Sequence, residues 1–310
     1  MLIDKTFRDS LSDIAKKAVA IVGRIKLEEQ QTLWTKQYED SLADQDGDIY
    51  PGMMFSLAKD RMESSKLFKI IRKMPKGALL HCHLEAMVEF KYILEDAFKL
   101  DCIYLKSSTS LNTPEALSKA SVGFCFSESP LQTTSISIWD AEYKADDLVS
   151  LNEAADTFPE GGRSGFIDWM NSRCTITPDE SIRHHDGPNE IWRKFFSAFG
   201  VIRTIIYHPT IFRGYVLRLC QQLHADGVEW ADVRAVFYDQ ALGPHDQRMV
   251  ELIGVFGEVV EAFKQSEEGK GFWGMRVIWT WPRVFSSQSM IYGKCSQISH
   301  CVYMFANNVV

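Results

Sequence analysis

The chain has 310 residues, of which 45% are hydrophobic and 24% are charged, so it can form a globular protein with a sizeable core. A net charge of −7 without a Lys- or Arg-rich run argues against a nucleic-acid partner. No apolar run approaches the roughly 18 residues of a membrane span, which argues against a membrane partner. The seven cysteines are an odd number without a Cys-x-x-Cys pair, so we expect free thiols and no disulfide framework.

Helical patterns fill the N-terminal segment, residues 1–73. Residues 3–34 carry apolar side chains at helical spacing with Lys and Glu on the other side, and residues 55–73 repeat the pattern after a polar loop. Charged residues interrupt the apolar positions near the start, which is not typical of a signal peptide, so we expect a cytoplasmic protein. We treat this segment as separate from a domain spanning residues 74–310.

A short buried strand with a polar end is predicted at residues 77–84. Pro75 and Gly77 end the helical pattern before it, and its apolar run is too short for a helix. His81 and His83 are two residues apart, which on a strand places both imidazoles on the same face. Such a pair can supply two of the three or four ligands of Zn²⁺, although a His-x-His string also occurs as ordinary polar residues at a strand end.

The least regular part of the chain spans residues 101–190, which are rich in Ser, Thr, Asp and Gly. A connection of this length is usually a functional insertion or partly disordered. His184 and His185 lie in a polar loop of this segment. Adjacent side chains on a strand point in opposite directions, so we assign these two histidines no ligand role.

Helical and strand patterns return at Glu190. The helix predicted over residues 191–199 carries an aromatic stripe, and such a stripe most often belongs to a core; its members are Trp192, Phe195, Phe196 and Phe199. Long helical patterns separate two further predicted strands, residues 228–236 and 275–281. We therefore expect the strands at 77–84, 228–236 and 275–281 to be adjacent and parallel in that order.

The string from Met74 to Ala86, MPKGALLHCHLEA, resembles the first barrel strand of the adenosine deaminase family, and it is closest to the branch of adenosine deaminase-related growth factors, or adenosine deaminase 2. Further motifs of that branch are matched in the same order, and Asp232 stands where the family usually has Glu. The resemblance covers about residues 50–297, with 101–190 matching poorly. The later matches are Ile191–Phe195, Tyr207–Tyr215, Gly227–Arg234, and Gly274–Trp279 with Arg283.

This resemblance implies an α/β fold, namely a TIM-type (β/α)₈ barrel of which the first three or so βα units are present after N-terminal helices. It implies a zinc hydrolase that deaminates adenosine, or a related purine nucleoside, to inosine and ammonia. By the same resemblance His81 and His83 are two of the zinc ligands. Glu85 takes the place of a substrate-contacting acid, usually Asp, and Trp192 and Phe195 border the nucleoside.

The family's remaining motifs do not occur in these residues. The third zinc histidine and the proton-donating glutamate belong to a His-Ala-Gly-Glu string and the zinc aspartate to a Ser-Asp-Asp string, and neither follows Trp281. His224 begins a similar string, but it closes a predicted helix and we reject it as a ligand. A full barrel needs about 250 residues, more than remain here outside the insertion. We expect a C-terminally truncated chain with no identifiable catalytic residue and no activity by itself.

Several alternatives stay open at this point. The chain could be another metal-dependent amidohydrolase, although the motifs at Trp192–Phe195 and Tyr207–Tyr215 argue against it. It could also be a non-catalytic binding or dimerisation module, because the N-terminal helices pack between subunits in the growth-factor branch and residues 1–73 could form a homodimer in the same way. The animal members of that branch are largely secreted, which is the alternative to a cytoplasmic location.

Overall fold

The computed structural model describes residues 4–38, 40–41, 55–127, 131–176, 187–236 and 247–280. The chain divides into two compact units: the first contains the described residues up to Met74 together with Gly187, and the second those from Pro75 to Ile176 and from Pro188 onwards. Within the described ranges, no helix is long and apolar enough to cross a membrane. The five cysteines in these ranges form no disulfide with one another.

The first unit consists of helices. Its helices are α1 (Lys5–Asp9), α2 (Asp13–Thr32), α3 (Phe55–Ser64) and α4 (Lys66–Arg72). Ser12 and Ser65 cap α2 and α4, because each hydroxyl accepts a hydrogen bond from a main-chain N–H in the first helical turn. The buried carboxylate of Glu29 accepts a further bond from the main-chain N–H of Leu67 at 3.0 Å, so α2 is tied to the start of α4.

The second unit begins with the strand that carries the two histidines. Its elements in chain order are β1 (Gly77–His83), a 3₁₀ turn (Leu84–Ala86), α5 (Phe90–Ala97), β2 (Ile103–Ser107), α6 (Pro114–Lys119), β3 (Val122–Phe126), β4 (Val149–Ser150), α7 (Leu151–Asp156), α8 (Gly162–Cys174), α9 (Pro188–Arg203), α10 (Pro209–Ala225), β5 (Val228–Ala235), α11 (Gln247–Gln265) and β6 (Gly274–Trp279). The predicted strands therefore form, with bounds shifted by one or two residues. The prediction that the first strand is buried is wrong, because only Cys82 of its seven residues is buried and Leu80 is 62% exposed.

Three of these strands form a parallel sheet in the order β1-β5-β6. The predicted adjacency, direction and order of the three strands are confirmed. Ala231 and Val233 are fully buried on the face of β5 that packs against α10. Val233 pairs with Cys82, and Arg234 pairs with His83. Paired residues of neighbouring strands point to the same face of a sheet. The imidazoles therefore lie on the face of Asp232 and Arg234, opposite to the face of Ala231 and Val233.

A bulge interrupts β1 just before the end of the strand. The four residues from Leu79 to Cys82 run opposite only the three from Ala231 to Val233. Bulges bend a strand and change the direction of its side chains, and they are frequent beside functional sites. The guanidinium of Arg234 donates a hydrogen bond to the carbonyl oxygen of Leu80 at 2.9 Å, which satisfies a backbone group within the bulge.

The expectation of an irregular insertion over residues 101–190 is wrong for most of that segment. Residues 103–150 contain an antiparallel sheet in the order β3-β2-β4, and α7 and α8 follow it. An aromatic cluster forms the core beside them; it consists of Trp139, Phe158, Phe166 and Trp169. The strands have five residues or fewer, which is too short for a clear periodicity between polar turns. His184 and His185 lie outside the described residues.

Candidate metal and nucleoside site

The two histidines lie at the carboxyl end of β1. Their ring centroids are 5.4 Å apart with an angle of 43° between the ring planes, and both side chains are exposed. They occupy one face of the strand, as their spacing predicts. In α/β sheets this end of the strands is where ligands bind.

Zinc needs three or four protein ligands, and His81 and His83 supply two nitrogens. Across the ranges that the structure describes, no three His, Cys, Asp or Glu side chains come together as a metal site. His224 lies in the helical layer, where its ring centroid is 6.1 Å from those of Phe263 and Phe272, which agrees with its rejection as a ligand. The pair therefore fits zinc only as part of a larger ligand set.

Glu85 is in the 3₁₀ turn that follows β1, and only 1% of it is exposed. Its Oε1 accepts hydrogen bonds from the hydroxyl of Tyr207 at 3.0 Å and from the main-chain N–H of Val236 at 3.4 Å. Its Oε2 is buried and has no hydrogen-bond partner among the described residues. An unpaired buried oxygen is costly, so this atom is a candidate to accept a bond from a ligand.

A second tyrosine holds the same turn through its backbone. The hydroxyl of Tyr215 donates to the carbonyl oxygen of Leu84 and accepts from the N–H groups of Met87 and Val88, each at 3.3 Å. Burial raises the pKa of Tyr215 well above its usual range, so the hydroxyl keeps its proton. The sequence motif Tyr207–Tyr215 contains both tyrosines but by itself indicates no role for either.

The aromatic stripe of α9 is more exposed than a core stripe would be. Trp192, Phe195 and Phe196 are 59%, 41% and 40% exposed, so the interpretation of these residues as core is wrong. Trp192 stacks on Phe195 with centroids 5.6 Å apart and an 18° angle between the planes. Phe199 connects the stripe to the histidines, because its ring lies 5.0 Å from that of Phe195 and 6.4 Å from that of His83.

A cavity of about 420 Å³ lies between the 3₁₀ turn, the end of α8 and α9. Its walls include Glu85, Cys174, Phe195, Phe199 and Ile202, whereas Trp192 is not among its lining residues. Ligand cavities typically have this size, largely apolar walls and a few polar groups. The structure therefore brings together two of the three predicted substrate contacts, Glu85 and Phe195. The third, Trp192, stacks on Phe195 without lining the cavity.

The sheet face that carries the histidines also holds an ion pair between neighbouring strands. Both carboxylate oxygens of Asp232 accept bonds from Arg276, at 3.1 and 2.7 Å, and Oδ1 also accepts from the indole N–H of Trp230 at 2.9 Å. The bond from Arg276, followed by the one from Trp230, lowers the pKa of Asp232. This carboxylate is therefore committed to holding β5 and β6 together.

These features define an α/β protein with a parallel sheet, a histidine pair at its carboxyl end and an apolar cavity beside it. No family model matches the chain. The chain is 25% identical over 228 residues to an adenosine deaminase of Lutzomyia longipalpis, covering 72% of this chain and 40% of the relative. It is 28% identical over 240 residues to adenosine deaminase 2-A of Danio rerio, covering 76% and 42%. It is 25% identical over 234 residues to adenosine deaminase 2 of Homo sapiens, covering 74% and 41%.

These matches confirm the resemblance to adenosine deaminases and to adenosine deaminase 2 that the sequence motifs indicate. The chain spans about two fifths of the length of these curated relatives.

Proposed function

We propose that residues 75–280 correspond to the first βα units of an adenosine deaminase-like (β/α)₈ barrel. The parallel order β1-β5-β6 supports this, since consecutive strands of such a barrel are neighbours. The two faces of the sheet support it as well. Small apolar residues face the helices, whereas the other face carries the imidazoles and the Asp232–Arg276 pair, as expected of a barrel interior near its active-site end.

The proposed ligand of the cavity is adenosine or a related purine nucleoside. The observation that carries this proposal is that Glu85 and Phe195 line one cavity, although each was singled out from a different motif. The ring of Phe195 offers an apolar face to the purine, and the free Oε2 of Glu85 accepts a hydrogen bond from a sugar hydroxyl. Trp192 supports the Phe195 ring by stacking on it.

The proposed metal is Zn²⁺, of which His81 and His83 supply two ligands; the family's other ligand strings, His-Ala-Gly-Glu and Ser-Asp-Asp, do not occur in these 310 residues. When bound, zinc would supply a water of lowered pKa for attack on the purine ring. Phe199 packs on His83 and so restricts the orientation of its imidazole. These 310 residues contain no His-Ala-Gly-Glu string to supply the acid, and general acid–base help is typically worth about 10²–10⁴-fold in rate.

We therefore propose that the 310-residue chain, expressed by itself, binds the nucleoside without deaminating it. Ammonia release from adenosine with added Zn²⁺ should equal that of the His81→Ala, His83→Ala double variant. A zinc-dependent difference between the two proteins would show that these residues include a working acid and a third ligand.

Equilibrium dialysis with radiolabelled adenosine tests the binding site itself. Glu85→Gln and Phe195→Ala should each weaken adenosine binding about ten-fold, because they remove the charged acceptor and one wall of the cavity. Phe196→Ala is the matched control, since Phe196 is as exposed as Phe195 but does not line the cavity. Equal effects of Phe195→Ala and Phe196→Ala would reject this cavity as the nucleoside site.

The second candidate is a non-catalytic module that pairs two copies of the chain through the N-terminal helices. It is favoured by exposed aliphatic side chains along α2, whose burial against a partner would remove apolar surface from water. These side chains are Ile14, Val19, Ile21 and Leu27. Light scattering after size-exclusion chromatography should then give a dimer for the wild type and a monomer for Ile14→Lys, Ile21→Lys. A wild-type monomer at all concentrations would reject this candidate.

A further inference from the structure

We propose that Tyr207 is a positioning residue for Glu85, whose hydroxyl fixes one carboxylate oxygen so that the other is presented to the ligand in the cavity. This inference rests on the proposed nucleoside site. Tyr207 lies just before α10, far along the chain from the 3₁₀ turn, and only 5% of it is exposed.

The contacts of Oε1 tie the carboxylate to the end of β5. The Tyr207 hydroxyl lies 3.0 Å from Glu85 Oε1 and 3.1 Å from the carbonyl oxygen of Val236, and the N–H of Val236 reaches the same Oε1 at 3.4 Å. The ring of Tyr207 is itself packed at 6.0 Å from that of Phe212. With Oε1 held from two directions, rotation about the last side-chain bond of Glu85 is restricted.

Oε2 is then the atom of Glu85 that can accept a hydrogen bond from a ligand. It is buried, it has no hydrogen-bond partner in the described part of the chain, and its residue lines the cavity with Phe195 and Phe199. An ionised carboxylate accepts hydrogen bonds and cannot donate them, so the matching group on the ligand is a hydroxyl or an N–H. In adenosine the sugar hydroxyls and the amino group of the base can both donate; we assign the bond to a sugar hydroxyl, which adenine lacks.

The protonation of Tyr207 agrees with the donor role. Burial, followed by the neighbouring Glu85 carboxylate, raises the pKa of Tyr207 well above its usual range, so its hydroxyl carries a proton at neutral pH. Tyr215 provides an internal comparison: its hydroxyl bonds only to main-chain groups of Leu84, Met87 and Val88 in the contacts that the structure gives. One tyrosine thus holds the carboxylate and the other holds the turn.

The test compares adenosine with adenine, which has no sugar, as probes in equilibrium dialysis with the full 310-residue chain. Tyr207→Phe should weaken adenosine binding about ten-fold and leave adenine binding unchanged. In the Glu85→Gln background, Tyr207→Phe should have no further effect on adenosine, because the two residues act on one hydrogen bond. Tyr215→Phe is the control for a loosened turn and should weaken the two probes alike.

Each other outcome has a definite meaning. If Tyr207→Phe weakens adenosine and adenine equally, or if its effect adds fully to that of Glu85→Gln, Tyr207 is only structural and this inference is wrong while the nucleoside site stands. If the wild type binds adenine and adenosine equally well, Glu85 does not contact the sugar and the inference is also wrong. If the wild type binds neither probe, the proposed function itself is overturned, and this inference with it.

Discussion

The hydroxyl of Tyr215 donates a hydrogen bond to the main-chain carbonyl of Leu84, the residue that follows His83. The same oxygen accepts bonds from two N–H groups of the following turn, so a single side chain from α10 satisfies three backbone groups. The turn that ends the histidine strand is therefore fixed by tertiary contacts and not by its own sequence.

Removing this hydroxyl should destabilise the fold. We expect Tyr215→Phe to lower the free energy of unfolding by about 1–3 kcal/mol, since it leaves buried backbone groups of Leu84, Met87 and Val88 without their partner. Urea denaturation at pH 7 measures this change. Tyr104→Phe is the matched comparison, because the Tyr104 hydroxyl accepts one hydrogen bond, from the N–H of Leu131 at 3.1 Å. It should therefore lower the free energy of unfolding by less than Tyr215→Phe does. An equal or larger loss for Tyr104→Phe would contradict the role given to Tyr215.

The aromatic core of the segment after β3 should be as sensitive as any domain core. Phe166 is fully buried and contacts the rings of Trp139, Phe158 and Trp169. We expect Phe166→Ala to cost about 3–5 kcal/mol of unfolding free energy. Trp273→Ala, at a residue that is 63% exposed, is the control and should change it by about 0.5 kcal/mol or less. Similar values for both would mean that the cluster is not packed as described.

Acid should weaken the sheet through Asp232. Arg276 and Trp230 lower the folded-state pKa of this carboxyl, so its contribution to stability is present above the unfolded pKa of about 4 and is lost as the pH falls through the folded value. Urea midpoints between pH 7 and pH 3 should therefore fall less steeply for Asp232→Asn than for the wild type. Asp168→Asn is the control variant for the loss of a carboxylate outside the sheet, at an exposed position on α8. Parallel profiles for wild type and Asp232→Asn would contradict the ion pair.

Zinc should be held weakly by the 310-residue chain, since His81 and His83 supply two imidazoles where three or four ligands are required, and the family's other ligand strings do not occur in the sequence. We expect dialysis against EDTA to remove the metal, as followed by atomic absorption. The matched variant His81→Ala should show little bound zinc before dialysis. Stoichiometric zinc that survives the chelator would mean that residues outside the described ranges complete the site.

The parallel sheet could be predicted from the sequence because each of its strands has a clear pattern of apolar residues. Apolar runs such as Ala231–Ala235 lie between long helical stretches and so indicate strands. The spacing of two residues between His81 and His83 by itself predicts that both imidazoles lie on one face of the strand. The motif order then placed Glu85 and Phe195 near one ligand. Local pattern and pairing rules therefore give both the sheet and half of the candidate site.

Other features depend on contacts between distant residues, which periodicity does not encode. The bond between Tyr207 and Glu85 joins a turn before α10 to a turn after β1, and no pattern in either segment requires it. The exposure of Trp192 could not be predicted either, since the same helical stripe fits a core or a cavity wall. The strands β2 to β4 were missed because they are too short for their alternation to be distinguished from a loop.

Photolabelling with 8-azidoadenosine tests the central claim most directly, because it reports where the purine lies in the 310-residue chain. If the base packs against Phe195, ultraviolet irradiation should attach the label to the tryptic peptide 195–203, and excess adenosine should abolish that labelling. The Phe195→Ala variant should lose the label under the same conditions, whereas Phe196→Ala should keep it. Label on another peptide, or label at 195–203 that adenosine does not compete away, would contradict a nucleoside site between Glu85 and Phe195.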